Sequence, residues 1–168
     1  QGHKMILSAT SKSGKSFALI ELAYAIAEGM NWLGHRCTQG KVMYINMEID
    51  EPSFMNRVKA VYDAYGMDTG IHAENFVEWT PRGYGRTLSK RVQPIIRRLK
   101  GNGYIAVIID PLYKVLEGDE NSNSDIARLV SYFDKIARET GCAVIYAHHY
   151  AKGFMGDRSS IDRGAGAG

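Results

Sequence analysis

The 168-residue sequence holds only two cysteines, Cys37 and Cys142. Two thiols make no disulfide framework. That excludes the small stapled secreted scaffolds and fits a reducing, cytoplasmic setting. Long hydrophobic runs are also missing. The longest apolar stretches fall far short of the ~20 residues that a membrane span needs, and no stretch of the sequence reads as a signal peptide. A strong excess of either charge is missing too: 21 Lys and Arg stand against 18 Asp and Glu, a formal net charge of +3, which permits a nucleic-acid partner without arguing for one. No internal repeat is present, and the final Gly/Ala run is the one low-complexity segment. What remains is an ordinary globular composition, 45% apolar and 23% charged, long enough for one domain with a sizeable core. The chain opens almost directly on strand-like "KMILSA" and closes on "DRGAGAG". It therefore reads as a piece of a longer protein.

Strand-like and helix-like stretches alternate. "MILS" (5–8), "VMYIN" (42–46), "FVEW" (76–79), "YIAVIID" (104–110) and "CAVIYAHH" (142–149) are short apolar runs. Helical patterns cover 15–29, 50–66, 87–103 and 124–141. The first is apolar on nearly every side, as a buried helix would be. The second has Asp50 as N-cap and Pro52 in its first turn. Pro94 should kink or divide the third. Residues 30–41 read as a polar connection, 81–86 ("PRGYGR") as a loop and 117–124 as a polar loop. Continuously apolar strands alternating with helices predict an α/β fold with a mostly parallel sheet covered on both faces.

Between the first strand and the first helix stands "ATSKSGKS" (9–16). It follows the phosphate-loop pattern G-x-x-x-x-G-K-[ST], with Ala9 in place of the first glycine. The loop and first helical turn, Ser11, Lys12, Ser13, Gly14, Lys15, Ser16 and Phe17, would cradle phosphates with backbone N–H groups, aided by the helix dipole. Lys15 would reach the β/γ oxygens and the Ser16 hydroxyl would bind Mg²⁺. Gly14 would let the backbone come close where no side chain fits. Ala9 sits at the strand-to-loop junction, before the part that wraps phosphates, and is tolerable there if its φ stays negative.

The other strand ends carry polar groups. Asp110 closes an apolar strand and suits a Mg²⁺-water ligand, since ligands bind beyond the carboxyl ends of parallel strands. Alone it would read as a turn cap before Pro111; beside a phosphate loop the metal role is preferred. Glu48 either activates the attacking water or is a solvated loop carboxylate. His148 and His149 suggest a metal pair, but no Cys, Asp or Glu stands near them at ligand spacing. One of them could instead hydrogen-bond a γ-phosphate, or both could be ordinary strand residues.

Together "ATSKSGKS", "YINMEID", "VIIDP…GDENSNSDIARLVSYFDKIARETGCAVIYAHHYAKG" and "DRGAGAG" resemble the RecA-like, AAA-family ATPases of the plasmid RepA replicative-helicase type. The resemblance covers essentially the whole chain, 1–168, as one RecA-like P-loop NTPase domain. It implies Lys15 and Ser16 as the Walker A pair, Asp110 as the Walker B acid, Glu48 as the catalytic glutamate and His149 as the γ-phosphate sensor. ATP and Mg²⁺ are the implied cofactors. Hexameric rings with single-stranded DNA in the channel are the implied assembly. The family's arginine finger and last strands lie downstream of "RGAGAG", so this segment alone is expected to hydrolyse ATP poorly.

By the same resemblance, channel-facing loops fall at 115–124 and 150–168. The first is acidic (Glu117, Asp119, Glu120). The second carries Lys152, Arg158 and Arg163 with Tyr150 and Phe154. Cations with aromatics suit a single-stranded backbone with stacked bases, though a Gly-rich connection would look alike. Two other functions compete: a RecA-like regulatory or assembly ATPase without unwinding, and a P-loop small-molecule kinase. The kinase would want an arginine-bearing lid, and no clear one is present.

Overall fold

A strand whose residues are apolar throughout can only lie where both faces are covered, and the central strands do so. The computed structural model describes residues 2–10, 12–68, 73–80, 87–112 and 123–149. Its strands are β1 (Lys4–Ala9), β2 (Asn31–Trp32), β3 (His35–Arg36), β4 (Lys41–Asn46), β5 (Phe76–Trp79), β6 (Tyr104–Asp110) and β7 (Ala143–His149). Its helices are α1 (Lys15–Glu28), α2 (Glu51–Ala64), α3 (Leu88–Leu99) and α4 (Asn123–Thr140). Five strands form one sheet in the order β1-β7-β6-β4-β5, every pairing parallel. This is the α/β fold of a RecA-like P-loop NTPase core.

The order explains the layering. The chain moves from β1 out to β4 and β5, then returns to β6 and β7. Right-handed crossovers place helices of opposite steps on opposite faces. Accordingly, α1 and α2 pack on one face through Leu19, Ala23, Tyr24, Phe54 and Val58 against Tyr44, Ile108 and Ala147. The other face receives α3 and α4, with Ile95, Leu99, Phe133 and Ile136 against Ile45, Val107 and Val144. Alternate strand residues serve alternate faces, so both cores grow from the same apolar runs.

Two local features depart from the sequence expectation, and a third, the stop at Gly66, follows it. The polar connection at 30–41 contains a hairpin, β2–β3, turned by Leu33 (φ 48°) and Gly34 (φ 82°). Positive φ at both central positions is the type I′ geometry whose twist suits a tight hairpin. Pro94 does not divide its helix: α3 runs unbroken from Leu88 to Leu99. Its apolar face, including Val92, Ile95, Ile96 and Leu99, is buried on the sheet, and that packing outweighs one lost backbone bond. Finally, α2 ends at Ala64. The N–H groups of Gly66 and Met67 then donate to the carbonyls of Asp63 and Tyr62, the paired bonds of a Schellman stop. The loop at 81–86 and most of that at 117–124 lie outside the described residues. Among the described residues no helix is long and apolar enough to cross a membrane.

Candidate active site

The parallel sheet delivers the C-terminal ends of β1, β7, β6 and β4 to one edge. In register, Ala9 pairs with His149 and Asn46 with Asp110. Because β7 lies between them, β1 and β6 are separated by about 10 Å. The loop after β1 and the start of α1 therefore face Asp110 across one intervening strand.

Ala9 is the last residue of β1, and its φ is not among the positive values. The loop's left-handed positions fall later, at Lys12 (φ 61°) and Gly14 (φ 86°). Left-handed residues flanking Ser13 give the alternating backbone in which successive N–H groups form an anion-binding concavity. A lysine in that conformation costs about 1 kcal/mol, the kind of local strain that collects at functional loops. Gly14 is the N-cap of α1 and supplies no side-chain cap, so the first N–H groups of the helix keep their capacity for a ligand. Among the described residues beyond its chain neighbours, a Cβ on Gly14 would meet no atom within 4 Å; the left-handed φ is what favours glycine on the protein side.

Lys15 is buried, and its ammonium is fully partnered. Nζ donates to the carbonyls of Ala9 at 2.9 Å and Thr10 at 2.6 Å, and to Ser13 Oγ at 3.3 Å. Those three acceptors match its three protons. The longest bond, to Ser13, is the one a phosphate oxygen would most easily replace. Burial pushes the Lys15 pKa down, while the charges of Asp110 and Glu48 push it back up. That links the loop lysine electrostatically to both carboxylates. Ser16 is half-buried in the first turn, and Lys12 and Ser13 are exposed. Phe17 is also exposed, with the Arg57 guanidinium 5.5 Å from its ring centroid. Ser11 lies outside the described residues. So does the side chain of His149, whose backbone closes β7 beside Ala9.

Two residues the sequence reading passed over organise the acids. Tyr44, buried in the middle of β4, donates its hydroxyl to Asp110 Oδ2 at 2.7 Å. Burial and the neighbouring Asp110 charge push its pKa well above 10, so it remains an O–H donor at neutral pH. Asp110 is itself buried, and its Oδ1 accepts no hydrogen bond from the described residues. With the Ser16 hydroxyl, that oxygen suits a hard cation that takes its remaining ligands from water and phosphate. Tyr44→Phe keeps the ring among Phe54 and Phe76 but removes a bond to a buried carboxylate. It should lower stability by about 1.5–3 kcal/mol, read from the urea midpoint. An unchanged midpoint would mean that water replaces the hydroxyl.

The second is Asn46, at the end of β4. Its side chain bonds the turn that carries Glu48, accepting from the N–H groups of Glu48 at 3.4 Å and Ile49 at 3.0 Å. Beyond the turn, Asp50 caps α2 by accepting from the Ser53 N–H at 3.0 Å. Glu48 is exposed at the top of this turn, beside a cleft of about 350 Å³ bordered by Asp50, Thr80 and Arg91. Among the described residues, no three His, Cys, Asp or Glu side chains come together as a self-sufficient metal site.

A strand–loop–helix phosphate cradle, a buried lysine in it, and an acid two strands away define a P-loop nucleotide-binding protein. A family model described as an AAA domain matches residues 1–155. The chain belongs to that AAA-domain family of P-loop ATPases, whose members typically bind ATP and Mg²⁺.

Proposed function

We propose that this domain is the hydrolytic core of a ring-forming, DNA-dependent ATPase of the replicative-helicase type. The observation that carries the hydrolytic part is the shared edge of the sheet, where buried Lys15 at the start of α1, Asp110 at the end of β6 and Glu48 on the turn after β4 all lie. In this reading Lys15 neutralises charge on the β/γ-phosphates, and Ser16 with Asp110 holds Mg²⁺. The bound metal supplies further charge neutralisation when phosphate is present. Glu48 orients and deprotonates the attacking water, and His149 senses the γ-phosphate. A carboxylate on a turn open to water suits hydrolysis better than transfer to a second substrate.

The DNA part rests on the resemblance of the sequence to replicative helicases and on the basic, aromatic composition of 150–168, which lies outside the described residues. A hexameric ring with ATP at subunit boundaries would bring an arginine finger from a neighbour. The test is ATP turnover by the full-length protein with and without single-stranded DNA, with Glu48→Gln as control. Stimulation by DNA that disappears in Glu48→Gln supports the motor. Turnover indifferent to DNA replaces it with a regulatory ATPase. Phosphate appearing on a small acceptor, with no free phosphate released, replaces it with a kinase.

A further inference from the structure

We propose that Asn46 is a positioning residue for hydrolysis, and that Glu78 clamps its amide in the working orientation. The inference rests on the reading of Glu48 as the base. Asn46 is 2% exposed, and burying an amide is costly unless its bonds are made. All of them are. Oδ1 accepts from the N–H groups of Glu48 and Ile49, while Nδ2 donates to the Ile49 carbonyl at 2.8 Å and to Glu78 Oε1 at 3.3 Å. Glu78, half-buried on the neighbouring strand β5, is in turn held by the Thr80 hydroxyl at 2.8 Å.

The polarity of this chain is specific. The turn presents two N–H groups that require an acceptor, while its Ile49 carbonyl and the Glu78 carboxylate both require a donor. A primary amide offers two donor hydrogens and an acceptor oxygen from one short side chain, and a flip of the amide would break both sides together. The entry of the turn is tied by the Met47 N–H to the Asp110 carbonyl at 2.9 Å, and its exit by the Asp50 cap. Between those points the bonds from Asn46 set the path of the backbone that carries Glu48. Asn46 touches no reacting group in this account. It acts through Glu48, and Glu78 acts through Asn46.

The experiment reverses the polarity of the pair in the full-length protein. Asn46→Asp keeps the acceptor for the turn but sets two carboxylates against each other and loses the donors. The turn should shift, and a displacement near 1 Å at a reacting group costs up to about 100-fold. The expected result is a fall in kcat of about 30-fold with ATP affinity within about twofold of wild type. The double variant Asn46→Asp/Glu78→Gln restores one bond with its direction reversed, from the Gln amide to the Asp carboxylate, and should recover most of the lost kcat. A purely structural amide predicts instead that stability falls while kcat and affinity of the folded fraction stay together. Wild-type kcat in Asn46→Asp, or no recovery in the double variant, overturns the proposal. Should Asn46→Asp not fold, Glu78→Ala removes the clamp from the other side. It must then lower kcat at unchanged ATP affinity, and wild-type kcat there overturns the proposal equally. Glu48→Gln is run alongside. If that variant hydrolyses normally, the base assignment has failed; if it is inactive while Asn46→Asp is normal, only the positioning role has failed.

Discussion

Lys15→Ala is expected to weaken ATP binding by about 100-fold or more, with little change in the stability of the fold. The affinity estimate follows from losing charge-assisted bonds to phosphate, at about 1.5–3 kcal/mol each, where 1.4 kcal/mol is tenfold. Stability should move far less because two effects oppose one another. The ammonium bonds to Ala9 O, Thr10 O and Ser13 Oγ are lost, but the cost of burying a cation disappears with them. Isothermal titration against a urea melt separates the two quantities. Unchanged ATP affinity would sink the phosphate-loop assignment.

The same lysine predicts a pH signature. Its pKa is lowered by burial, so in the folded protein it loses its proton below the ordinary 10.5. A lowered lysine pKa means the unfolded chain binds the extra proton more readily. The contribution of this group to stability is therefore unfavourable at neutral pH and is relieved as pH rises through the folded-state value. Phosphate binding needs the charged form. ATP affinity should thus hold at neutral pH and decline as pH rises through the lowered pKa. In Lys15→Arg the decline should vanish, because the guanidinium stays charged. An alkaline decline that persists in Lys15→Arg would belong to another group.

Much of this arrangement was legible because the chemistry and the fold use the same signals. Strands buried on both faces show no alternation, and "YIAVIID" announced both a central strand and the acid at its end. The phosphate loop was readable because its glycine, lysine and serine spacing follows from backbone geometry. Less legible were residues whose role depends on neighbours across the sheet. Tyr44 looked like one more apolar strand residue, yet a buried tyrosine needs an acceptor, and Asp110 is 66 positions away in sequence. Asn46 could have been suspected, since Asn at a strand end commonly bonds the backbone ahead of it. Its clamp, Glu78, is a partner that only strand order reveals. The β2–β3 hairpin was hidden because Leu33 occupies a position where Asn or Asp would have signalled the turn. Pro94 misled for the opposite reason: a local rule against helix was overridden by the packing of the apolar face it shares.

Glu48→Gln should reduce ATP turnover by about 10²–10⁴-fold while nucleotide still binds. Glutamine keeps the size of the side chain and removes its ability to take a proton from water. The residue is exposed on the turn after β4, so the substitution should change stability by no more than about 0.5 kcal/mol. Its effect on affinity has two small parts of opposite sign. Loss of a negative charge near the phosphates favours binding, whereas the Glu48 charge also helps keep Lys15 protonated. ATP affinity therefore stays close to wild type, and the loss falls on kcat. Asp110→Asn should behave differently, because in the proposed reading Asp110 holds the metal, which contributes to the bound state as well as to the reaction. It should weaken Mg²⁺-dependent binding and turnover together. Direct measurement of ATP binding and of single-turnover hydrolysis distinguishes the two variants. If Glu48→Gln hydrolyses at the wild-type rate, the base lies elsewhere. Glu78 is then the first carboxylate to test, since it stands 3.3 Å from the Asn46 amide at the same edge of the sheet. In that case the Asn46–Glu78 pair would hold the base itself rather than the turn that presents it.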